Sequence, residues 1–85
     1  YEFVGRVVAY DEATQMVTLE QRNYFKPGDE VEFFGPEIEN FRVVIDEVFD
    51  EDGVSLDAAR HPLQIVTFKC EHKLYPENMM RKENA

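Results

Sequence analysis

Three short stretches of this 85-residue sequence combine residue types that elsewhere handle phosphates, metal ions or acyl groups. The first is Lys26-Pro27-Gly28-Asp29. A phosphate cradle requires Gly-x-x-x-x-Gly-Lys-Ser/Thr ahead of a helix, so that backbone amides and a lysine converge on the same oxygens. Here the lysine precedes the only nearby glycine and a strand pattern follows, so a type II turn explains the quartet: Pro27 presets φ, and Gly28 supplies the positive φ. The second is Asp50-Glu51-Asp52-Gly53. Setting Gly53 at the sixth position of a calcium loop puts Asp50 and Asp52 at the third and fifth, but Val48 and Ala59 fall on the first and twelfth, where the strongest ligands belong. The third is Cys70 with His72. Zinc takes three or four ligands, and His61, beside Pro62, is the only other histidine. As a nucleophile and base, the pair would sit two residues apart on one strand, about 6–7 Å apart at the Cα by the strand rise. No third group orients them. Catalytic and metal-ligating residues are therefore expected to be absent.

One cluster suits contact rather than catalysis. Arg22-Asn23-Tyr24-Phe25 puts an arginine and two aromatics in a connection between strands, and these are the residue types favoured as interface anchors. The competing duties are structural: Phe25 as a lid on the core, and Asn23 as a positive-φ turn residue.

The elements that would position these groups are short strands. "YEFVGRVVAY" alternates Tyr1, Phe3, Val7 and Ala9, with Gly5 on the same face marking a bulge, a bend or a close backbone approach. "DEAT" is a turn, and "QMVTLEQR" completes a hairpin with Val17 and Leu19 on one face. "EVEFF" places Val31 and Phe33 together. "GPEIEN" reads as a polar connection, and "FRVVIDEVF" as a strand with Phe41, Val43, Ile45 and Phe49 on one parity, interrupted at Glu47. "VSL" is a short strand, "DAARHP" an irregular turn, and "LQIVTFKC" the last clear strand, with Val66, Phe68 and Cys70 on one side. The expected fold is all-β: a small closed antiparallel β-barrel of about six short strands, since closure removes exposed edges. Residues 71–85 read as a tail packing on the barrel through Leu74, Tyr75, Met79 and Met80, with 1–85 a single domain.

Composition bounds the function. Seven Phe and four Tyr supply bulk for one core. Eleven of the eighteen carboxylates fall between Asp29 and Asp57, where Arg42 is the only cation, and the net charge is −9. Such a face repels nucleic acid and favours a basic partner or plain solubility. A single cysteine argues for an intracellular, cytoplasmic origin, and no apolar run approaches the roughly 20 residues that cross a bilayer. The strand pattern at Tyr1 suggests a domain cut from a larger chain.

The order "YEFVGRVVAYDEATQMVTLEQRNYFKPGDEVEFFGP", then "DEDGVSLDAARHPLQIV" and "YPENMMRKE", resembles the C-terminal domain of the collagenase-like peptidase family U thirty-two. The stretches "EQRNYFKPGDEVE" and "AARHPLQ" carry most of the likeness, which covers nearly the whole chain. The resemblance implies a compact β-barrel following a larger catalytic domain, with a layout similar to the β-barrel domains of translation elongation factors. Members of the family are classed as peptidases, while others hydroxylate RNA bases or act in quinone synthesis with an iron–sulfur cluster. The cluster cysteines belong to the catalytic portion, which Cys70 alone cannot reproduce, so no cofactor is expected here. The expected role is a non-catalytic docking module that positions a protein or other macromolecular substrate or braces the catalytic domain of the same chain. The alternative is an RNA-contacting accessory domain of an RNA-hydroxylating enzyme, using cations outside the acidic stretch: Arg22, Lys26, Arg60, Lys69, Lys73, Arg81 and Lys82. The binding candidates are Arg22, Asn23, Tyr24, Phe25, Arg60 and His61.

Overall fold

The computed structural model describes residues 1–83, which form eight antiparallel strands in one sheet, with no helix among them. The strands are β1 (Glu2–Asp11), β2 (Met16–Gln21), β3 (Glu30–Gly35), β4 (Ile38–Val44), β5 (Val48–Phe49), β6 (Ser55–Leu56), β7 (Ile65–Lys69) and β8 (Met79–Lys82). Their order is β4-β3-β8-β1-β2-β7-β5-β6.

The closed barrel of about six strands is not what forms. The sheet has eight strands, and its hydrogen bonding stays open, with β4 and β6 as its two edges. It is nevertheless strongly curled. Phe33 of β3 and Phe68 of β7 are four strand spacings apart, about 19 Å in a flat sheet, yet their ring centroids lie 6.2 Å apart. Phe68 also meets Phe25 edge to face at 6.2 Å, and Phe33 meets Phe41 at 5.5 Å. The gap between the sheet's two ends is spanned by the chain itself, because β4 runs through Ile45, Asp46 and Glu47 directly into β5, which pairs with β7. Barrel-like enclosure therefore comes from aromatic packing and a covalent link rather than from a closed ladder.

The faces of β2, β3 and β7 follow strict alternation: Val17, Leu19, Val31, Phe33, Val66 and Phe68 are all buried. β1 departs from the expected parity. Its buried residues are Val4, Gly5 and Val7, while Tyr1 and Ala9 are exposed, because the register shifts between Phe3 and Gly5 against β8 and between Val7 and Ala9 against β2. Each bulge turns the following side chains to the other face. Gly5 marks the close approach anticipated from sequence, since a Cβ there would lie 2.5 Å from Leu19 Cδ2 and 3.0 Å from the Glu20 carbonyl oxygen.

Two segments were unforeseen. Ile38–Asn40, expected to be connection, begins β4. The supposed tail supplies β8, which is paired on both sides, Phe33 opposite Met80 and Gly5 opposite Met80. Met80 and Leu74 are buried in the core, while Met79 is partly exposed. Residues 84 and 85 of that segment lie outside the described residues.

Candidate functional site

The first of the three chemical stretches is a turn. Asp29 N donates to the Lys26 carbonyl at 3.1 Å, and Gly28 has φ of 94°. Asp29 closes it: its carboxylate accepts from Lys26 N at 3.0 Å and Lys26 Nζ at 3.1 Å, with Lys82 Nζ at 3.5 Å. Burial pushes this carboxyl upward, but the hydrogen bonds and the two ammonium groups outweigh it and hold the group below its ordinary range. The Asp50 stretch is also a turn. Asp50 Oδ1 accepts from Asp52 N and Val54 N, both at 2.9 Å, and Gly53 sits at φ 80°.

Cys70 lies in the wall of a cavity of about 200 Å³ at the seam between β4 and the chain after β7, with Val43, Val44, Asp46 and His72. The thiol points to the His72 carbonyl at 3.4 Å, while the His72 ring packs on Phe41 at 4.5 Å between centroids, so no imidazole is set to take the thiol proton. Burial pushes the thiol pKa up. A raised pKa means that its contribution to stability is complete below the ordinary thiol range and is lost as pH rises through the folded value. At pH 7.5 the folded thiol should react with an aromatic disulfide reagent about 100-fold more slowly than in denaturant. Equal rates would contradict this burial.

The contact cluster divides. β2 ends at Gln21, and the next two amides, Arg22 N and Asn23 N, both donate to the Val4 carbonyl, at 2.8 and 3.2 Å. Asn23 does not take positive φ; its side-chain amide donates instead to the Phe3 carbonyl at 2.7 Å and fixes the turn. Phe25 forms an isolated antiparallel bridge with Ala59, with Ala59 N donating to the Phe25 carbonyl at 2.7 Å. Alternation along this bridge drives Phe25 fully into the core and leaves Tyr24 44 % exposed. Phe25 therefore serves packing rather than contact.

The same bridge sets Arg60 across from Tyr24 on the neighbouring segment. Lys82 Nζ stands 5.3 Å from the Tyr24 ring centroid. The Arg22 guanidinium lies 6.0 Å from the Phe3 ring and pairs with Glu20 at 3.0 Å. Tyr24 is thus an exposed ring beside Lys82, with Arg60 across the bridge and Arg22 and Lys26 two residues away on either side. His61 is exposed in the following turn, where its carbonyl accepts from Gln64 N. Lys82, read from sequence only as one of seven candidate cations outside the acidic stretch, joins this rim because the central placement of β8 brings it there.

Every Lys and Arg except Lys69 has a carboxylate within 4.0 Å among the described residues. Arg60 pairs with Asp57 at 2.7 Å, and its hydrogen bonds hold that carboxyl below its usual range. Both side chains are more than half exposed, so the pair is weak and open to exchange with another anion. Arg81 is different: it pairs with the mostly buried Glu32 at 2.6 Å and lies between the rings of Tyr1 and Phe34, at 4.1 and 4.6 Å, a structural role.

The model of the family described as "Peptidase family U32 C-terminal domain" matches residues 1–81. The chain belongs to this family. A crystal structure of the C-terminal domain of a Geobacillus thermoleovorans protein assigned to the U32 peptidases superposes on this U32 C-terminal domain with a TM-score of 0.94 at 66 % identity, covering 98 % of this chain and 93 % of that one. Its selenomethionine variant gives the same TM-score at 65 % identity, over 96 % and 100 % of the two chains. The tRNA hydroxylation protein P1 of Bacillus subtilis is 72 % identical over 82 residues, which are 96 % of this chain and 19 % of the relative. The U32 C-terminal domain therefore spans about one fifth of that curated relative's length.

Proposed function

We propose that this domain is a non-catalytic accessory module that contacts structured RNA for a tRNA-hydroxylating parent enzyme, with Tyr24 as the stacking residue and Arg22, Lys26, Arg60 and Lys82 as phosphate contacts. One observation carries the reading: an exposed ring beside the Lys82 ammonium, with Arg60 across the bridge, in a chain 72 % identical to part of a tRNA hydroxylation protein. An aromatic face takes any unstacked base, and cations beside it follow the backbone. The domain's net charge of −9 limits its share of the affinity, so the rest of the parent supplies most of the electrostatic attraction and this rim supplies position.

In the full-length parent, Tyr24→Ala should weaken tRNA binding by about 5- to 150-fold, the equivalent of about 1–3 kcal/mol per stacked base. Arg60→Ala and Lys82→Ala should each flatten the salt dependence by about one unit of slope. Unchanged affinity and slope in all three variants would end the RNA reading.

A second reading is favoured by charge. Glu39, Asp46, Glu47, Glu51 and Asp52 have no cationic partner among the described residues, and they suit docking against a basic protein surface, including the parent's catalytic portion. Under this reading, deleting the domain lowers the parent's thermal stability and leaves its tRNA affinity intact.

A further inference from the structure

We infer that Gln21 is a positioning residue that ties together the two loops carrying the Tyr24 rim; the assignment of that rim to RNA rests on the reading above, but the tie itself does not. Gln21 is the last residue of β2 and only 1 % exposed. Its Nε2 donates to the Ala59 carbonyl at 2.6 Å and to the Asn23 carbonyl at 3.2 Å. One amide thus holds the residue before Tyr24 and the residue before Arg60. The backbone reinforces the same junction, since Gln21 N donates to the Gln64 carbonyl and the Gln21 carbonyl accepts from Leu63 N, at 2.8 and 2.7 Å.

The chemistry of the other end of the amide argues against a role in stability alone. Gln21 Oε1 is buried and has no hydrogen-bond partner among the described residues. A buried, unpaired acceptor opposes folding, and an apolar side chain of the same length would fill this position without that penalty. The reversed amide orientation is worse, because it sets an oxygen against two carbonyls. What glutamine provides, and methionine or leucine would not, is a forked donor that braces the spacing of two loops joined otherwise by one backbone bridge. Ala59 otherwise meets the 22–25 loop through its bridge with Phe25, in which the reverse bond from Phe25 N is long, at 3.4 Å. The Nε2 contact at 2.6 Å and the bond from Ala59 N to the Phe25 carbonyl at 2.7 Å therefore set the distance between Tyr24 and Arg60 together.

The test uses Gln21→Met, with Gln21→Leu as a second variant of similar volume. In hydrogen exchange without RNA, the Ala59 amide should lose at least about 10-fold of its protection in both variants, together with Asn23, while the amides of β7 keep theirs. In tRNA binding by the full-length parent, Gln21→Met should weaken affinity in the wild-type background and add less than a further 2-fold to Tyr24→Ala. Unchanged Ala59 and Asn23 exchange in both variants would overturn the tie. A uniform loss of protection across β7 would overturn it too, by making Gln21 a general core residue. If exchange behaves as expected but no variant affects tRNA, the tie stands and the RNA reading falls.

Discussion

Phe68→Ala should leave this domain close to the edge of unfolding. Truncating a buried phenylalanine costs about 3–5 kcal/mol, against a total for 85 residues of roughly 4–13 kcal/mol. Phe68 is fully buried and is the ring through which both Phe25 and Phe33 meet β7. The sheet has no closed ladder to maintain its curl, so losing this ring removes the contact that brings β3 over β7. Urea unfolding followed by circular dichroism should show a large drop in midpoint for Phe68→Ala. Phe68→Leu should fall much less, and Val54→Ala, at an exposed position, should scarcely move. A Phe68→Ala midpoint equal to that of Val54→Ala would refute the account of how the sheet is held curled.

The second large effect is expected at Gly35. A Cβ there would lie 2.3 Å from Asn78 Nδ2 and 3.1 Å from its Cγ. Asn78 cannot simply yield. It is fully buried, its Oδ1 accepts from Tyr75 N at 2.9 Å, its Nδ2 donates to Glu37 at 2.8 Å, and its carbonyl accepts from Val7 N at 2.8 Å. Moving the amide aside orphans the Tyr75 amide and breaks the link to the β3–β4 turn, so Gly35→Ala should cost about 2–4 kcal/mol. The double-mutant cycle with Asn78→Ala separates collision from backbone effects: if collision dominates, the double variant is less destabilised than the sum of the singles. Strict additivity would place the cost elsewhere.

These two positions illustrate how far the sequence could be read. Phe68 sits in a run with three β-branched residues, Ile65, Val66 and Thr67, and strict alternation, and the burial of β2, β3 and β7 follows from such runs. The Lys26–Asp29 turn was equally legible, because Pro27 and Gly28 each have one conformational use there. β8 was not. Its sequence, Met79-Met80-Arg81-Lys82, has no β-branched residue, and its two cations resemble a solvated end; its strand geometry is imposed by neighbours on both sides. The inner residues of β1 were misassigned because Gly5 marked a possible bulge without showing which side chains it turns, and the second bulge, between Val7 and Ala9, has no glycine to mark it. At the candidate site, the contact types around Tyr24 and the core duty open to Phe25 were visible, but the bridge to Ala59, thirty-four residues on, that turns Phe25 inward and Tyr24 outward was not. Gln21 gave no signal, since a buried glutamine at the end of an amphipathic strand looks like a polar residue at a strand terminus.

The placement of β8 also bears on how the polypeptide matures at the ribosome. Remove that strand from the order, and what remains is two disconnected pieces, β4-β3 and β1-β2-β7-β5-β6, each ending in an unsatisfied edge. Because Glu2 must wait for Lys82, the earliest-made strand cannot acquire its second neighbour until almost the whole domain has been translated. Until Met79 to Lys82 arrive, the domain carries two unsatisfied borders, on β3 and β1, recognisable to proteases and holdases, so the last strand of the domain is the one that seals it.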